Sequence, residues 1–435
     1  MFLFVFILIN FFLLILYYSK KLYKFYFLGV LVLLFIEPAF QKLSDPTLYG
    51  KTYMIFGFDR LKTNIVMVAT FIFTLMYPRN KKHRYKHSVF FFAIIMFHLL
   101  NVNFSIDFQN SMALFIVSVI LPILLYESLM SLGENFYKDN NNLLLSVYIG
   151  IIVFITIGLL MYNKSSGGAE ESSGFNRTGG GLWLSNVSTQ VLALFFPLLL
   201  SKNKMKKIEV FRITALMLFF VLLTVSLSRT ALFVYLFMIL LFVTKTKNKM
   251  LFIIGGLLLL VVLYYVLSAQ LNYDLIEMYQ SRFQRTGSVV ETVEDDERIM
   301  IYTQVLEVLK NSNILLGNGI STFNHLNKAE FSNAHNILLN LIVERGLVGL
   351  LFVVMMMVYV FRKINKLIKN IRLTISDKKL LSGFRLGIIG FLLIGMTGND
   401  LFINSGFISS WPISCIVILI CIVENKTFIY KKIIK

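Results

Sequence analysis

Long apolar runs separated by short polar segments dominate this chain from its first residue to its last. Most runs are close to the roughly 20 residues that an α-helix needs to cross the hydrocarbon core of a bilayer. Thirteen of them lie at residues 2–18, 24–40, 62–77, 88–103, 111–128, 143–162, 184–201, 208–227, 229–243, 251–269, 336–361, 384–398 and 408–424. The pattern predicts an all-α polytopic membrane protein with about 12 to 13 transmembrane helices.

The composition agrees with this pattern. Hydrophobic residues make up 57% of the 435 residues, charged residues make up 15%, and the mean hydropathy is +0.75. A water-exposed surface cannot be built from such a composition, because too few polar side chains are present to cover it. The composition therefore excludes a soluble globular domain.

The net charge of +19 lies mostly in short loops between the apolar runs. Six basic loops fall on the same side of the membrane in this helix count: residues 19–24, 78–87, 202–207, 244–249, 361–372 and 426–435. The positive-inside rule makes that side cytoplasmic. We therefore interpret the basic charge as a topology signal and expect no nucleic-acid partner.

Four regions follow from this topology. Residues 1–162 and 336–435 are N-terminal and C-terminal groups of transmembrane helices, residues 163–269 hold central helices with external arginines, and residues 270–335 form one large external loop. Within that loop, four residues follow the i, i+3, i+4, i+7 spacing of one helix face: Tyr302, Val305, Leu306 and Leu309. This spacing predicts an amphipathic helix lying on the outer membrane surface.

Two arginines on the predicted external side are candidates for binding an anion. Arg177 stands in NRTGGGLWLSN, where glycines allow a close backbone approach and the guanidinium suits phosphate oxygens. The alternative is a flexible loop with an interfacial arginine anchored by Trp183. Arg229 stands at the tip of a predicted hairpin, and the arm 229–243 is so short that Arg229 should lie below the surface, where it needs a partner or an anionic ligand. Simple snorkelling to the interface is the alternative.

Arg298 closes an acidic run, ETVEDDER, and opens the amphipathic helix. Taken alone it is typical of a solvated salt-bridge partner, and the acidic run would repel an anionic substrate. The sequence shows no dense carboxylate and histidine cluster with metal-site spacing, and Cys415 and Cys421 fall on different faces of one helix. We expect no metal and no cofactor.

His335 stands just before the apolar run that begins at residue 336. If Ser332 or Asn333 caps the helix, His335 lies in its first turn, where free N–H groups favour an anion and disfavour imidazolium. A neutral histidine beside an anion site can act as a general base. The alternative is a helix-capping or packing histidine. His325 is a second, weaker candidate.

Three further polar residues stand out nearby. Glu344 and Arg345 lie within the same apolar run, so both must face the protein interior and each needs its own partner, with structural and functional roles equally open. Gly346 and Gly349 beside them would allow close helix packing. Asp400 in the last external loop is a possible extra polar contact.

These motifs together resemble the O-antigen ligase and O-antigen polymerase superfamily. The resemblance is carried by RTGGGLWLSN from Arg177, SLSRT around Arg229, the loop from Arg298 through GNG, and AHN followed by ERGLVG. It covers approximately residues 175–405, and its most specific part is the segment from GNG through ERGLVG.

The resemblance implies a metal-independent, inverting glycosyltransferase of the GT-C type, without a cofactor. By motif, Arg177, Arg229 and Arg298 would bind a lipid diphosphate and His335 would be the catalytic base. His325, Asn336, Glu344 and Asp400 would support the site.

The implied reaction is polymerisation of undecaprenyl-diphosphate-linked repeat units of a capsule or O-antigen, at the outer face of the bacterial cytoplasmic membrane. Its partners would be the lipid-linked donor and acceptor glycans, membrane lipid and other polysaccharide-assembly proteins. Ligation onto lipid A-core or onto protein serine would use the same site. A lipid-linked oligosaccharide flippase is the alternative from another class, although the concentration of charges on one side argues against it.

Overall fold

A computed structural model describes ten stretches of the chain. They are residues 2–44, 62–78, 88–162, 185–226, 228–244, 297–320, 322–328, 334–370, 373–396 and 411–434. Every statement about the structure below refers to these residues.

The described residues form α-helices joined by short turns. In chain order they are α1 (Phe2–Tyr18), α2 (Tyr26–Ser44), α3 (Lys62–Met76), α4 (Ser88–Asn103), α5 (Phe108–Phe115), α6 (Leu121–Met130), α7 (Glu134–Tyr137), α8 (Asn140–Tyr162), α9 (Ser185–Ala193), α10 (Phe196–Leu200), α11 (Lys206–Ser226), α12 (Arg229–Val243), α13 (Glu297–Lys310), α14 (Phe323–Leu326), α15 (Ile337–Ile368), α16 (Ile375–Gly395) and α17 (Trp411–Ile434). A π-helical turn, Ile116–Ile120, joins α5 to α6 without a break.

Four of these helical stretches are long and apolar enough to cross a membrane: Phe108–Met130, Asn140–Leu159, Ile337–Ile368 and Pro412–Tyr430. Shorter apolar helices accompany them at Phe2–Tyr18, Lys62–Met76, Val89–Asn103 and Thr230–Val243. The prediction of an all-α polytopic membrane protein is confirmed. The number of 12 to 13 spanning helices stays a prediction, since the run 251–269 lies outside the described residues.

Several helix boundaries differ from the predicted apolar runs. The run 184–201 is broken into α9 and α10, because Pro197 has no N–H to donate to the carbonyl of Ala193 one turn earlier. The helix α16 begins nine residues before the predicted start at 384, since the Thr374 side chain caps it by accepting from the N–H of Asp377. The helices α15 and α17 continue into the predicted basic loops, where Lys and Arg are good helix formers.

The predicted amphipathic helix is present as α13, but its buried face is rotated. Ile301, Val305 and Val308 are buried in a small core with Phe323 of α14 and Val343 of α15. By contrast, Leu306, assigned to the apolar stripe, is 60% exposed. The prediction that Leu306 lies on the buried face was wrong, because α14 and α15 cover the face of α13 that is buried. The spacing of residues within α13 does not reveal where those helices pack. The location of α13 on the membrane surface stays a prediction.

Side-chain contacts distinguish the two ends of the helix bundle. At one end the Tyr17 hydroxyl lies 2.5 Å from the Ser131 hydroxyl, and Asp377 accepts from both Lys426 and Asn140 at 2.8 Å. We call this the basic end, because the described parts of the basic loops at 19–24, 202–207 and 361–370 adjoin it. The opposite end, where α5, α12 and α15 begin and α4 and α16 finish, is called the His335 end. The positive-inside rule predicts that the basic end is cytoplasmic.

Candidate functional site

The helix α15 begins with an asparagine cap at the His335 end of the bundle. The Asn336 side-chain oxygen accepts hydrogen bonds from the N–H groups of Leu338 at 2.9 Å and Leu339 at 3.3 Å. Its side-chain nitrogen donates to the carbonyl oxygen of Met396 at 3.0 Å, just after α16. Asn336 therefore supplies hydrogen bonds to free N–H groups at the start of α15 and joins that start to the end of α16.

His335 lies directly before this cap and outside the helix. The prediction that Ser332 or Asn333 caps the helix, with His335 in its first turn, was wrong, because Asn336 takes the cap position itself. The imidazole is partly buried, and it still stands next to the positively polarised start of α15.

The backbone of His335 is left-handed, with φ at +46°, a conformation that residues other than glycine adopt uncommonly. Hydrogen bonds hold both neighbours in place. The N–H of Ala334 donates to the Asn340 side-chain oxygen at 2.7 Å, and Asn336 is held as the cap. Such a conformation costs about 1–3 kcal/mol and persists only where the surroundings enforce it. The position of the ring is thus set by its neighbours in the chain.

The helix α15 is broken at Gly346, whose φ of +65° and ψ of −175° are not helical. The segment from Ile314 to Gly319 fills the break with backbone hydrogen bonds. The N–H of Gly319 donates to the carbonyl of Glu344 at 3.0 Å, and the N–H of Leu347 donates to the carbonyl of Ile314 at 2.8 Å. The loop therefore replaces hydrogen bonds that the helix loses at its break.

Glycine is required on both sides of this contact. A Cβ atom built on Gly317 would lie 2.4 Å from the carbonyl oxygen of Glu344, and one built on Gly346 would lie 2.2 Å from that of Leu315. Gly317 has a positive φ of +74° as well. The expectation that Gly346 serves close helix packing was wrong, since it makes the helix break that receives the GNG loop. Of these two helix glycines, Gly349 is the one that faces another helix, with Phe97 of α4 at 3.5 Å from its built Cβ.

The buried Arg345 side chain has hydrogen-bond partners on neighbouring helices, as predicted for a charged residue within an apolar run. Its side chain is 1% exposed, and Nη1 lies 2.7 Å from Nε2 of His98 in α4. The other ring nitrogen of His98 lies 2.8 Å from the carbonyl of Ile94, so Nδ1 donates there and Nε2 accepts from the guanidinium. Ser118 adds a contact at 3.4 Å. Glu344 is buried too, and its carbonyl oxygen accepts from the Asn101 amide at 2.9 Å.

His325 lies on α14 at the same end of the bundle. Its Nε2 is 3.8 Å from Oδ2 of Asp107, and both side chains are partly exposed. Asp107 also caps α5 by accepting from the N–H of Asn110 at 3.1 Å. No local sequence pattern marks Asp107 and His98, because their partners are more than 200 residues away along the chain.

The predicted arginines are described to different extents. Arg229 is the first residue of α12, directly after Ser228, whose hydroxyl accepts from the N–H of Ala231 at 3.3 Å. Arg298 is the second residue of α13. Arg177 and Asp400 lie outside the described residues. The approach of the three arginines to His335 therefore stays a prediction.

No metal site is found in the described stretches, where no group of three or more His, Cys, Asp or Glu residues could hold an ion. Of the residues predicted for the site, the structure brings His335 and Asn336 together at the start of α15. His325 lies at the same end, on the small core beside α13.

Comparison with protein families supports the resemblance. Residues 213–354 match the family model described as O-antigen ligase, a stretch that includes Arg229, Arg298, the GNG loop, His335 and the break at Gly346. The match confirms the resemblance found in the sequence motifs. No curated protein matches the chain.

Proposed function

We propose, from the match of residues 213–354 to the family model described as O-antigen ligase, that this chain is a polysaccharide polymerase, since enzymes of that family act on lipid-linked glycans in polysaccharide assembly. It joins repeat units of a capsule or O-antigen. The donor is a growing glycan on undecaprenyl diphosphate, and the acceptor is the non-reducing sugar of another lipid-linked unit.

The single observation that carries this proposal is the placement of His335. The residue lies in the matched segment, in a strained conformation held by Asn336 and Asn340, at the start of a long helix. Strain of this kind clusters at functional sites. A helix N-terminus favours the neutral form of an imidazole beside it, which is the form that accepts a proton.

In the proposed reaction His335 removes the proton from the acceptor hydroxyl. The hydroxyl oxygen then attacks the anomeric carbon of the donor sugar from the face opposite the leaving group. The bond from that carbon to the diphosphate oxygen breaks, and the configuration is inverted. No metal takes part, because the arginines supply the positive charge.

Arg177, Arg229 and Arg298 are the proposed diphosphate ligands. They stabilise the negative charge that develops on the departing lipid diphosphate, the kind of preorganised electrostatic interaction that contributes most to such catalysis. In support of this role, Arg229 opens α12 at the His335 end, where the start of the helix also favours an anion. The reaction takes place at the outer face of the cytoplasmic membrane, opposite the basic end.

Ligation of the glycan onto lipid A-core or onto protein serine would use the same residues with a different acceptor. The matched family, described as O-antigen ligase, favours this second candidate. The two are distinguished by the acceptor that is consumed. A polymerase lengthens the glycan on the carrier lipid, whereas a ligase removes it from the carrier.

The test is reconstitution of the purified protein in vesicles with a synthetic undecaprenyl-diphosphate glycan. We expect lengthened glycan with the wild type and a rate lower by about 10²–10⁴-fold with His335→Ala, the usual contribution of a general base. His325→Ala is the matched comparison and should keep most of the activity. Equal turnover by His335→Ala would remove the proposed base, and a loss confined to His325→Ala would transfer that role to the pair with Asp107.

A further inference from the structure

Gln190 of α9 is a buried amide with no hydrogen-bond partner in the part of the chain that the structure describes. Its side chain is 0% exposed, and neither Oε1 nor Nε2 makes a hydrogen bond. A buried polar group left in this state costs about 1–3 kcal/mol, so native proteins rarely keep one without a reason. A leucine or methionine would fill the same space at lower cost.

The amide lies where the helices of the candidate site meet. A Cβ atom built on Gly395 would lie 2.6 Å from Nε2 of Gln190 and 3.2 Å from Cδ1 of Ile337. Ile337 is the first residue of α15, and the next residue after Gly395 is Met396, which accepts from Asn336. Gln190 therefore lies against the junction that places His335.

A second buried amide, on α15, uses only one of its two polar atoms in a hydrogen bond. Asn340, one turn after Asn336, uses its oxygen to hold the N–H of Ala334, whereas its Nδ2 has no partner among the described residues. Its side chain is also buried. The start of α15 thus carries a helix N-terminus together with unused amide groups of Gln190 and Asn340, which are independent observations that point to a ligand.

The chemistry of the unused atoms selects the ligand. Gln190 offers a donor and an acceptor side by side, which suits a ligand group that both accepts and donates. A sugar hydroxyl or acetamido group does both, whereas diphosphate oxygens only accept. We infer that Gln190 is a sugar-binding residue of this site, which holds a hydroxyl or acetamido group of the lipid-linked glycan. The inference rests on the proposed function for the identity of the glycan.

The test compares Gln190→Met, which keeps the size of the side chain and removes its hydrogen bonds, with the wild type in lipid nanodiscs. Two probes are added separately: undecaprenyl diphosphate without sugar, and the same lipid carrying the glycan. Thermal unfolding is measured with each probe and without it. We expect Gln190→Met to unfold at the same or a higher temperature than wild type without ligand, because no protein hydrogen bond is lost.

We expect both proteins to gain equal stability from the bare lipid diphosphate. The additional gain from the sugar should be reduced in Gln190→Met, corresponding to about tenfold weaker glycan binding for the loss of about 1.4 kcal/mol. Asn101→Leu is the control for a structural amide. Because Asn101 donates to the carbonyls of Leu316 and Glu344, its replacement should lower the unfolding temperature.

Two results would overturn the inference. If Gln190→Met loses as much stability as Asn101→Leu, the amide is satisfied within the protein or by an internal water. If the sugar-dependent gain is intact, Gln190 does not bind the glycan. A different result would show that the proposed polymerase reaction is wrong while sugar binding by Gln190 is correct. Wild-type protein that is stabilised by the glycan through Gln190 but forms no product would retain this site and refute the polymerase.

Discussion

At the scale of single residues, the site depends on asparagine amides that place a histidine. His335 is held in its left-handed conformation because Asn340 fixes the residue before it and Asn336 fixes the residue after it. The Asn336 amide both accepts from the start of α15 and donates to Met396, which neither a carboxylate nor an alanine can do. The strain at His335 is therefore maintained by its neighbours.

The two functions of Asn336 can be separated by substitution. Asn336→Ala removes the cap and should lower the free energy of unfolding by about 1 kcal/mol. Asn336→Asp keeps an oxygen for the N–H groups of Leu338 and Leu339 but cannot donate to Met396, and it brings negative charge beside the proposed diphosphate. We expect Asn336→Asp to unfold near the wild-type temperature and to lose most of its turnover with the lipid-linked glycan. Full activity in Asn336→Asp would show that the contact with Met396 is irrelevant to the reaction.

At the scale of elements, the break in α15 explains why two distant motifs occur together. The segment from Ile314 to Gly319 makes backbone hydrogen bonds with the groups on both sides of Gly346 that the broken helix leaves without helical partners. Arg345, the residue just before the break, is hydrogen-bonded to His98 of α4. The segment from Ile314 to Gly319 is thus joined to the long apolar helix α15 at its break.

Gly346→Ala should disrupt this junction. The backbone angles of Gly346 are essentially restricted to glycine, and a Cβ atom would lie 2.2 Å from the carbonyl oxygen of Leu315. We expect a loss of about 3 kcal/mol or more in the free energy of unfolding. Gly29→Ala is the control, because its Cβ would meet only the flexible end of Leu13. Similar losses for the two variants, measured by thermal unfolding in detergent, would contradict the role given to the break.

At the scale of the whole molecule, a buried ion pair ties the basic end of the bundle together. Asp377 at the start of α16 accepts from Lys426 of α17 and from Asn140 at the start of α8, each at 2.8 Å. Thr374 donates to the other carboxylate oxygen at 2.6 Å. Three helices that are far apart in the chain therefore share one carboxylate.

Removal of one charge from this pair should cost more than removal of both. Lys426→Met leaves Asp377 buried without its cation, which typically costs about 3–5 kcal/mol. The double variant Asp377→Asn with Lys426→Met keeps most of the shape and leaves no buried charge, so it should be more stable than Lys426→Met alone. Thermal unfolding of the two single variants and the double variant measures the coupling. Additive losses would show that the two charges do not depend on each other.

Several features that depend on neighbouring residues in the sequence were predicted correctly, whereas features that depend on distant residues were not. The predicted run 2–18 coincides with α1 and the run 229–243 with α12, because the length of an apolar run is a local property. The cap of α15 was assigned to the wrong residue, because several capping residue types stand together in SNAHN. The buried face of α13 was misplaced at Leu306, since the residues that cover it come from later in the chain.

The sequence by itself determined the fold class, the motifs that mark the domain and the candidate base, because hydrophobic runs, basic loops and short motifs are all encoded within a few tens of residues. Only the tertiary structure decided that Gly346 breaks a helix for the segment from Ile314 to Gly319 and that His98 is a partner of Arg345. It also placed Gln190 beside the start of α15, without a hydrogen-bond partner among the described residues. These contacts join residues far apart along the chain, and their positions depend on how the helices pack together.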